Sequence, residues 1–427
     1  MKVDIKRSDY FYFLLFLLPP FIITGPLLSD SIISIIALIF LFLHYKKIIN
    51  IIKKDFFFKI LFIFCILNVV NSLFAQEQLI SLKNSLTYFR FPLFVIAIAY
   101  FFYCYSKSII YFYYSLLFTI IFVSLDGIFQ FYMGFNFFGE ISFSRNRISG
   151  LFGDEFILGT FLTKLTPILI SLYFVLNNKV NKTIMVFACL ISFITIIFSG
   201  ERTALAIISI FYFFLFFFIL QAPLKKKLLN FGILFLIILS MIFSSNQLKE
   251  RLIDLTFAQI ISVLETNKLE KDLSIDGEEH RKYKAFYLNQ RARHLMVSAE
   301  IFKEKPIFGH GNKMFGKVCF SNFYINDGRC STHPHNFSAQ ILVENGLIGF
   351  CLYLILFFIF CKAFYKKIIL LDMSSSIILL IIILNFFPLF PTGNFYNNMN
   401  SIFLYLPLAV YYGYKKELFQ KKILTDL

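Results

Sequence analysis

The sequence predicts an all-α polytopic membrane protein of about twelve transmembrane helices carrying one large helical outer loop. Three observations point there. Apolar residues make up 58% of the chain, with 61 Phe and a mean hydropathy of +0.74, whereas a soluble domain holds about 45–50% apolar residues. The apolar residues fall in runs near the roughly 20 residues that a bilayer crossing needs. Finally, lysines collect in alternate connections between those runs, as they do in short cytoplasmic loops.

Taken in order, the expected spans are 10–27, 29–44, 56–74, 86–105, 109–128, 156–176, 183–199, 203–221, 228–245, 337–361, 374–391 and 399–414. Lys2, Lys6 and Arg7 precede the first run in the manner of a secretory signal. No small-residue cleavage site follows, and Pro19-Pro20 sits inside the run, so a retained first helix is expected. Lys46, Lys47, Lys53 and Lys54 follow the second span, Lys107 the fourth, Lys179 and Lys182 the sixth, Lys225, Lys226 and Lys227 the eighth, and Lys362, Lys366 and Lys367 the tenth. Lys415, Lys416, Lys421 and Lys422 close the chain. Every even-numbered connection is therefore basic, which places both termini in the cytoplasm. The formal charge of +16 is largely this topology signal; motifs that interleave aromatic and basic residues for nucleic acid are absent.

Connections are short except near 129–155 and 246–336. The second is too long for a turn and too apolar for a disordered linker, so it is expected to fold as a cap at 246–336, between spans nine and ten of a single membrane domain covering 1–427. Within it Leu288, Ala292, Leu295, Ala299 and Phe302 recur at spacings of three and four, the pattern of an amphipathic helix ending before Lys305-Pro306. Cys319 and Cys330 both lie in this loop and could close a disulfide in an oxidising compartment. The remaining five cysteines fall in spans as small apolar fillers.

The 41 basic residues divide into 31 Lys and 10 Arg, and of the arginines only Arg7 falls on the cytoplasmic side. The other nine sit at outer helix ends or in outer loops, against the topology rule. A guanidinium matches phosphate oxygens as a planar fork, whereas an ammonium is a point charge. An outer site for a phosphorylated lipid or sugar is one reading; ordinary ion pairing with loop carboxylates is the other, and it is favoured for Arg251, Arg281 and Arg329.

The most polar motif is Thr332-His-Pro-His-Asn336. Pro334 disfavours helix before it, so the tenth span should start near Asn336, a favourable N-cap. His333 and His335 then lie at the membrane surface, where a neutral imidazole can take a proton from an attacking hydroxyl. Two histidines one residue apart, even with His310, make a poor metal signature without a carboxylate or thiolate at ligand spacing. Gln340 and Glu344 continue from Asn336 as a polar stripe. A carboxylate at that depth needs a partner, and Lys164 is the expected one, in a structural or substrate-orienting pair. Three further clusters accompany the motif: Ser199-Gly-Glu-Arg-Thr203 with Arg202 in a very short outer turn; Arg145-Asn-Arg147 leading to Gly153; and Arg291 with Arg293 ahead of Pro306-Ile-Phe-Gly-His-Gly311.

Together these elements resemble the O-antigen ligase and polymerase superfamily of bacterial membrane glycosyltransferases. Arg147, Gly150 and Phe152 match its Arg-x-x-Gly-x-Phe stretch, and Glu201-Arg202-Thr203 is similar to its short arginine turn. Arg291 with Pro306, Gly309 and Gly311 matches an arginine upstream of Pro-x-x-Gly-x-Gly; His335, Asn336, Gln340, Glu344, Gly346 and Gly349 match its long histidine signature. Relatives often carry Trp four residues after the loop arginine, where this chain has Leu295. The resemblance implies a GT-C-like protein of the bacterial inner membrane that moves a glycan from undecaprenyl diphosphate on the periplasmic face, with neither metal nor cofactor. Arg202 and Arg291 would hold the diphosphate, His335 would act at the acceptor hydroxyl, and Arg145, Arg147, Arg293, His333, Asn336, Gln340, Glu344 and Lys164 would bind substrate. Ligation onto lipid A-core is expected ahead of polymerisation onto a second lipid-linked glycan. A flippase or exporter would instead show paired repeats and broken midplane helices; no internal repeat is found, and the polar residues gather near one face.

Overall fold

The computed structural model describes residues 5–142, 144, 147–177, 179–258, 290–321 and 330–415. Among these residues the fold is helical, and no strand forms beyond an isolated bridge between Phe135 and Ile141. The helices are α1 Ile5–Phe21, α2 Pro26–Lys54, α3 Phe56–Ser72, α4 Gln78–Tyr88, α5 Arg90–Cys104, α6 Lys107–Met133, α7 Leu158–Leu176, α8 Lys182–Phe198, α9 Arg202–Phe214, α10 Leu224–Ser244, α11 Asn246–Lys249, α12 Gln290–Glu304, α13 Phe315–Ser321, α14 Phe337–Ile369, α15 Met373–Asn385 and α16 Asn398–Tyr414. Each of the twelve expected spans overlaps one of them. Seven helical stretches are long and apolar enough to cross a membrane: α2, α4–α5 together, α6, α7, α9 with its terminal π-turn Leu215–Ile219, α10 and α14. The other five expected spans fall on helices of 13 to 17 residues. At a rise of about 1.5 Å per residue these reach about 20–26 Å, less than the roughly 30 Å hydrocarbon core.

The fourth expected span is two helices meeting at Phe89, and α4 begins well before the apolar run. Its buried face is Ser81, Ser85 and Tyr88, so hydropathy alone did not mark it. The core is continuous: α5 packs on α16 and α2, α15 on α7, α6 on α1, α7 and α8, and α14 on α3 and α15. The central α15 is buried on all sides from Ser375 to Ile382, as an all-round apolar helix must be.

The longest helix is broken. Gly346 adopts φ 65° inside α14, a left-handed conformation open mainly to glycine. The interrupted ladder is met by the loop before α13: His310 N donates to Val343 O at 2.9 Å and Gly311 N to Glu344 O at 2.9 Å, while Leu347 N donates to Pro306 O at 2.8 Å and Ile348 N to Ile307 O at 3.3 Å. A Cβ at 346 would collide with the Ile307 carbonyl, and one at 309 with the Glu344 backbone. The spacing Pro306, Gly309, Gly311 is thus a backbone-docking device, and Gly346 admits a loop where sequence suggested close helix approach.

Above this break, Val297, Ile301, Met314, Phe315, Val318 and Cys319 share a small core with Ala75 and Val343, and Cys319 and Cys330 form a disulfide. The amphipathic helix is present as α12, but its buried face is not the expected one. His294, Val297, Ser298 and Ile301 are buried, whereas Leu295 is 46% exposed; Leu288 lies outside the described residues. The 292-295-299-302 row also has three- and four-residue spacing, so periodicity alone could not choose between the rows.

Gly346→Ala should therefore lower unfolding stability by about 1–3 kcal/mol through overpacking, measured by thermal or denaturant unfolding in detergent. Gly232→Ala, where a Cβ meets nothing within 4 Å, should not.

Candidate functional site

The turn between α8 and α9 is built around a buried carboxylate. Gly200 takes φ 65°, which turns Glu201 inward. Its oxygens accept from Gly159 N at 2.7 Å, Thr160 N at 3.1 Å and Thr160 Oγ1 at 2.7 Å, so a negative group sits on the N-terminus of α7, where orphan amides and the helix dipole favour one. The same turn starts α9 with Arg202, which donates from Nη1 to Thr256 Oγ1 at 3.0 Å. From the loop ahead of α7, Arg147 donates to Phe156 O at 2.9 Å, with its guanidinium 4.4 Å from the Phe156 ring centroid. Arg251 donates to Gly200 O at 3.4 Å, and Arg291 comes from the first turn of α12.

These side chains surround one cavity of about 240 Å³. Among the described residues, Arg147, Arg202, Arg251, Arg291 and Lys164 line it against a single carboxylate, Glu201. His335 and the 390–393 segment between α15 and α16 also line it. Five cations around one acid make an electrostatic well that selects a multiply charged anion. Lys164, one turn below Thr160, donates to Asn385 Oδ1 at 2.6 Å.

His335 holds φ 54°, and its carbonyl accepts from Thr392 N at 2.9 Å. Its ring meets two other imidazoles, with centroids 5.3 Å from His294 and 4.1 Å from His333. Burial first, then His294 and Arg291, lowers the His335 pKa below the ordinary histidine value. The same causes, burial then His335 and His294, bring His333 down to about 4. Near neutral pH His335 is therefore an uncharged imidazole able to accept a proton.

The structure brings together His335, Arg202, Arg291, Arg147 and Lys164, as the motifs suggested. It gives other work to the stripe below His335. Asn336 caps α14 by accepting from Ala339 N at 2.9 Å, and it donates to Pro388 O and Phe390 O. Gln340 accepts from Phe395 N at 2.8 Å and donates to Asn394 Oδ1 at 3.0 Å. Both side chains thus hold the 388–395 segment, which forms the cavity wall. Glu344 accepts from Lys313 N at 3.0 Å, Phe315 N at 3.1 Å and Gln340 Nε2 at 3.3 Å, fixing the start of α13. The expected Lys164–Glu344 pair does not form: backbone amides released by the docked loop satisfy Glu344, and Asn385 takes Lys164. Arg293 and His333 do not line the cavity, although the His333 ring meets that of His335 at a tilt of 48°. His310 faces the Ile301 carbonyl at 3.0 Å, and among the described residues no group of three His, Cys, Asp or Glu side chains could hold a metal ion. Arg145, Arg281 and Arg329 lie outside the described residues.

Sequence reasoning missed Arg251, favoured as a loop ion-pairing residue, together with Glu201, His294, Asn385 and Thr392. Arg251 and His294 carried a signal: a further outer arginine, and a histidine three residues after Arg291. Asn385 and Thr392 carried none, since only the fold brings the α15–α16 connection to His335.

Residues 187–354 match the profile of a family described as O-antigen ligase. No curated protein matches the chain. The matched stretch runs from α8 into α14 and contains Arg202, Arg291 and the histidine signature, so it supports the likeness to the ligase and polymerase superfamily read from those motifs.

Because Lys164 and Glu344 have separate partners, Lys164→Met and Glu344→Gln should add in a double-mutant cycle of unfolding stability. The coupling should be within about 0.5 kcal/mol, where a buried ion pair would show several-fold more.

Proposed function

We propose that the protein is a membrane glycosyltransferase that moves a glycan from undecaprenyl diphosphate, in the manner of an O-antigen ligase. The observation that carries this reading is the single cavity in which four guanidiniums and Lys164 face His335. The cations fit the donor diphosphate. As the anomeric carbon–oxygen bond breaks, charge grows on that diphosphate, and fixed cations in a partly dry site stabilise it. The acceptor hydroxyl attacks the anomeric carbon and gives its proton to His335, while undecaprenyl diphosphate leaves as an anion. The leaving group needs no proton near neutral pH, so one base suffices, unlike the paired carboxylates of glycosidases. No metal or cofactor is required by these steps.

In this reading Arg202 and Arg291 bind the diphosphate with Arg147 and Lys164; Arg145 and Arg293 add to the positive charge offered to substrate, and His333 flanks the base. The acceptor is lipid A-core, with a second lipid-linked glycan, and hence polymerisation, as the alternative. The chain lies in the bacterial inner membrane as one domain over 1–427, both termini cytoplasmic, with the 246–336 cap and the cavity on the periplasmic side. A flippase is less well supported, because the break in α14 is filled by the docked backbone of 306–311.

Incubating the purified protein with undecaprenyl-diphosphate glycan and either lipid A-core or a second donor identifies the acceptor by which one is consumed. Arg202→Ala and Arg291→Ala should each lower kcat/KM by about 10²–10³, the usual effect of removing one charge-stabilising donor; undiminished transfer by both would remove the diphosphate role. Since the His335 pKa is lowered, its base form persists as pH falls past about 6.5. The acid limb of kcat/KM should therefore lie below that value and vanish from the residual activity of His335→Ala. An acid limb at or above pH 6.5 would contradict the assignment.

A further inference from the structure

The connection after α6 combines a self-contained backbone with an apolar exterior. Gly134 and Gly139 adopt φ 83° and 84°, and between them the chain folds back on itself through Asn136. The Asn136 side-chain oxygen accepts from Phe138 N at 3.0 Å and Glu140 N at 2.9 Å; its amide donates to Glu140 Oε2 at 3.1 Å and Gly150 O at 2.9 Å. Asn136 N donates to Glu140 O and Gly139 N to Asn136 O, both at 2.9 Å. From below, the buried Asp126 accepts from Phe137 N at 2.8 Å. Phe129 braces the hairpin through ring contacts with Phe135 and Phe137 at 5.6 and 5.0 Å.

Outward it presents the reverse. Tyr132 is 70% exposed, Phe138 75% and Ile141 73%, with Met133, Phe135 and Phe137 each more than 40% exposed. A soluble loop of this length would turn polar groups outward. A non-helical segment at membrane depth must satisfy its amides and carbonyls internally, and aromatic side chains favour the interface. Within the hairpin the amides from Asn136 to Glu140 all have partners and its aromatic side chains lie outward; it joins α6 to the segment leading into α7, both helices long and apolar enough to span.

We propose that residues 132–141 form an aromatic finger that inserts into the lipid at the outer membrane interface. It is tied to the cavity, since Ser142 Oγ donates to Arg147 O at 2.5 Å and Asn136 to Gly150 O. The finger thus sets the depth of the Arg147 edge of the cavity relative to the lipid headgroups. The finger does not depend on the catalytic reading and stands if transfer activity is not found.

The chain contains no Trp, so Phe138→Trp is a single fluorescent reporter. The variant is placed in nanodiscs of phosphatidylcholine and phosphatidylglycerol, with or without lipids brominated in the upper acyl chain. Emission should fall about twofold with brominated lipid, comparably to Phe118→Trp on the exposed side of α6, with little quenching by aqueous acrylamide. Ile141→Trp should repeat the result, and it serves if the first variant fails to insert. Acrylamide quenching without a bromolipid response would overturn the proposal. So would emission that depends on protein-to-lipid ratio and not on bromination, which would mark contact between copies.

Discussion

The structure depends on how the broken ladder of α14 is made whole. A helix interrupted by a left-handed residue leaves amides and carbonyls without partners, and in an apolar bundle each such group costs several kcal/mol. Backbone from 306–311 supplies them on both sides of Gly346. That docking sets the position of the cap, because α12 and α13 flank the inserted loop and share its small core. Glu344 strengthens the same joint by accepting the amides of Lys313 and Phe315. Arg291 reaches the cavity from the other end of α12, so the place of one guanidinium follows from hydrogen bonds below it.

A second joint fixes the opposite wall. Asn336 and Gln340 gather the 388–395 segment through its carbonyls and the Phe395 amide, and Thr392 N returns a bond to the carbonyl of His335. Glu201 does comparable work under α7, leaving Arg202 next in sequence at the cavity edge. The histidine signature and the short arginine turn share a plan: one polar residue binds backbone and its neighbour faces the cavity.

Much of this was legible in the sequence. Each of the twelve apolar runs falls on a helix, and the separation of arginine from lysine singled out Arg147, Arg202 and Arg291, which line the cavity. Three things were not legible. The polar face of α4 is buried through Ser81, Ser85 and Tyr88, which hydropathy reads as exposed. Glu344 was paired with Lys164 because depth along a helix can be counted from sequence, while a loop re-entering beside that helix cannot. Arg251 lay among loop charges that could equally have been ion-paired, and only the path of the chain after α11 brings it beside Gly200. The last two misses share a cause: each depends on where backbone outside the spanning helices travels, which periodicity does not encode.

The central claim is that one neutral imidazole and a ring of cations carry a single displacement at the anomeric carbon. The most direct test is the anomeric configuration of the linkage made by the purified protein from a donor of known configuration, determined by NMR of the product. Inversion relative to the lipid diphosphate is the predicted result. Retention would require a covalent intermediate or a second displacement, and would contradict the account.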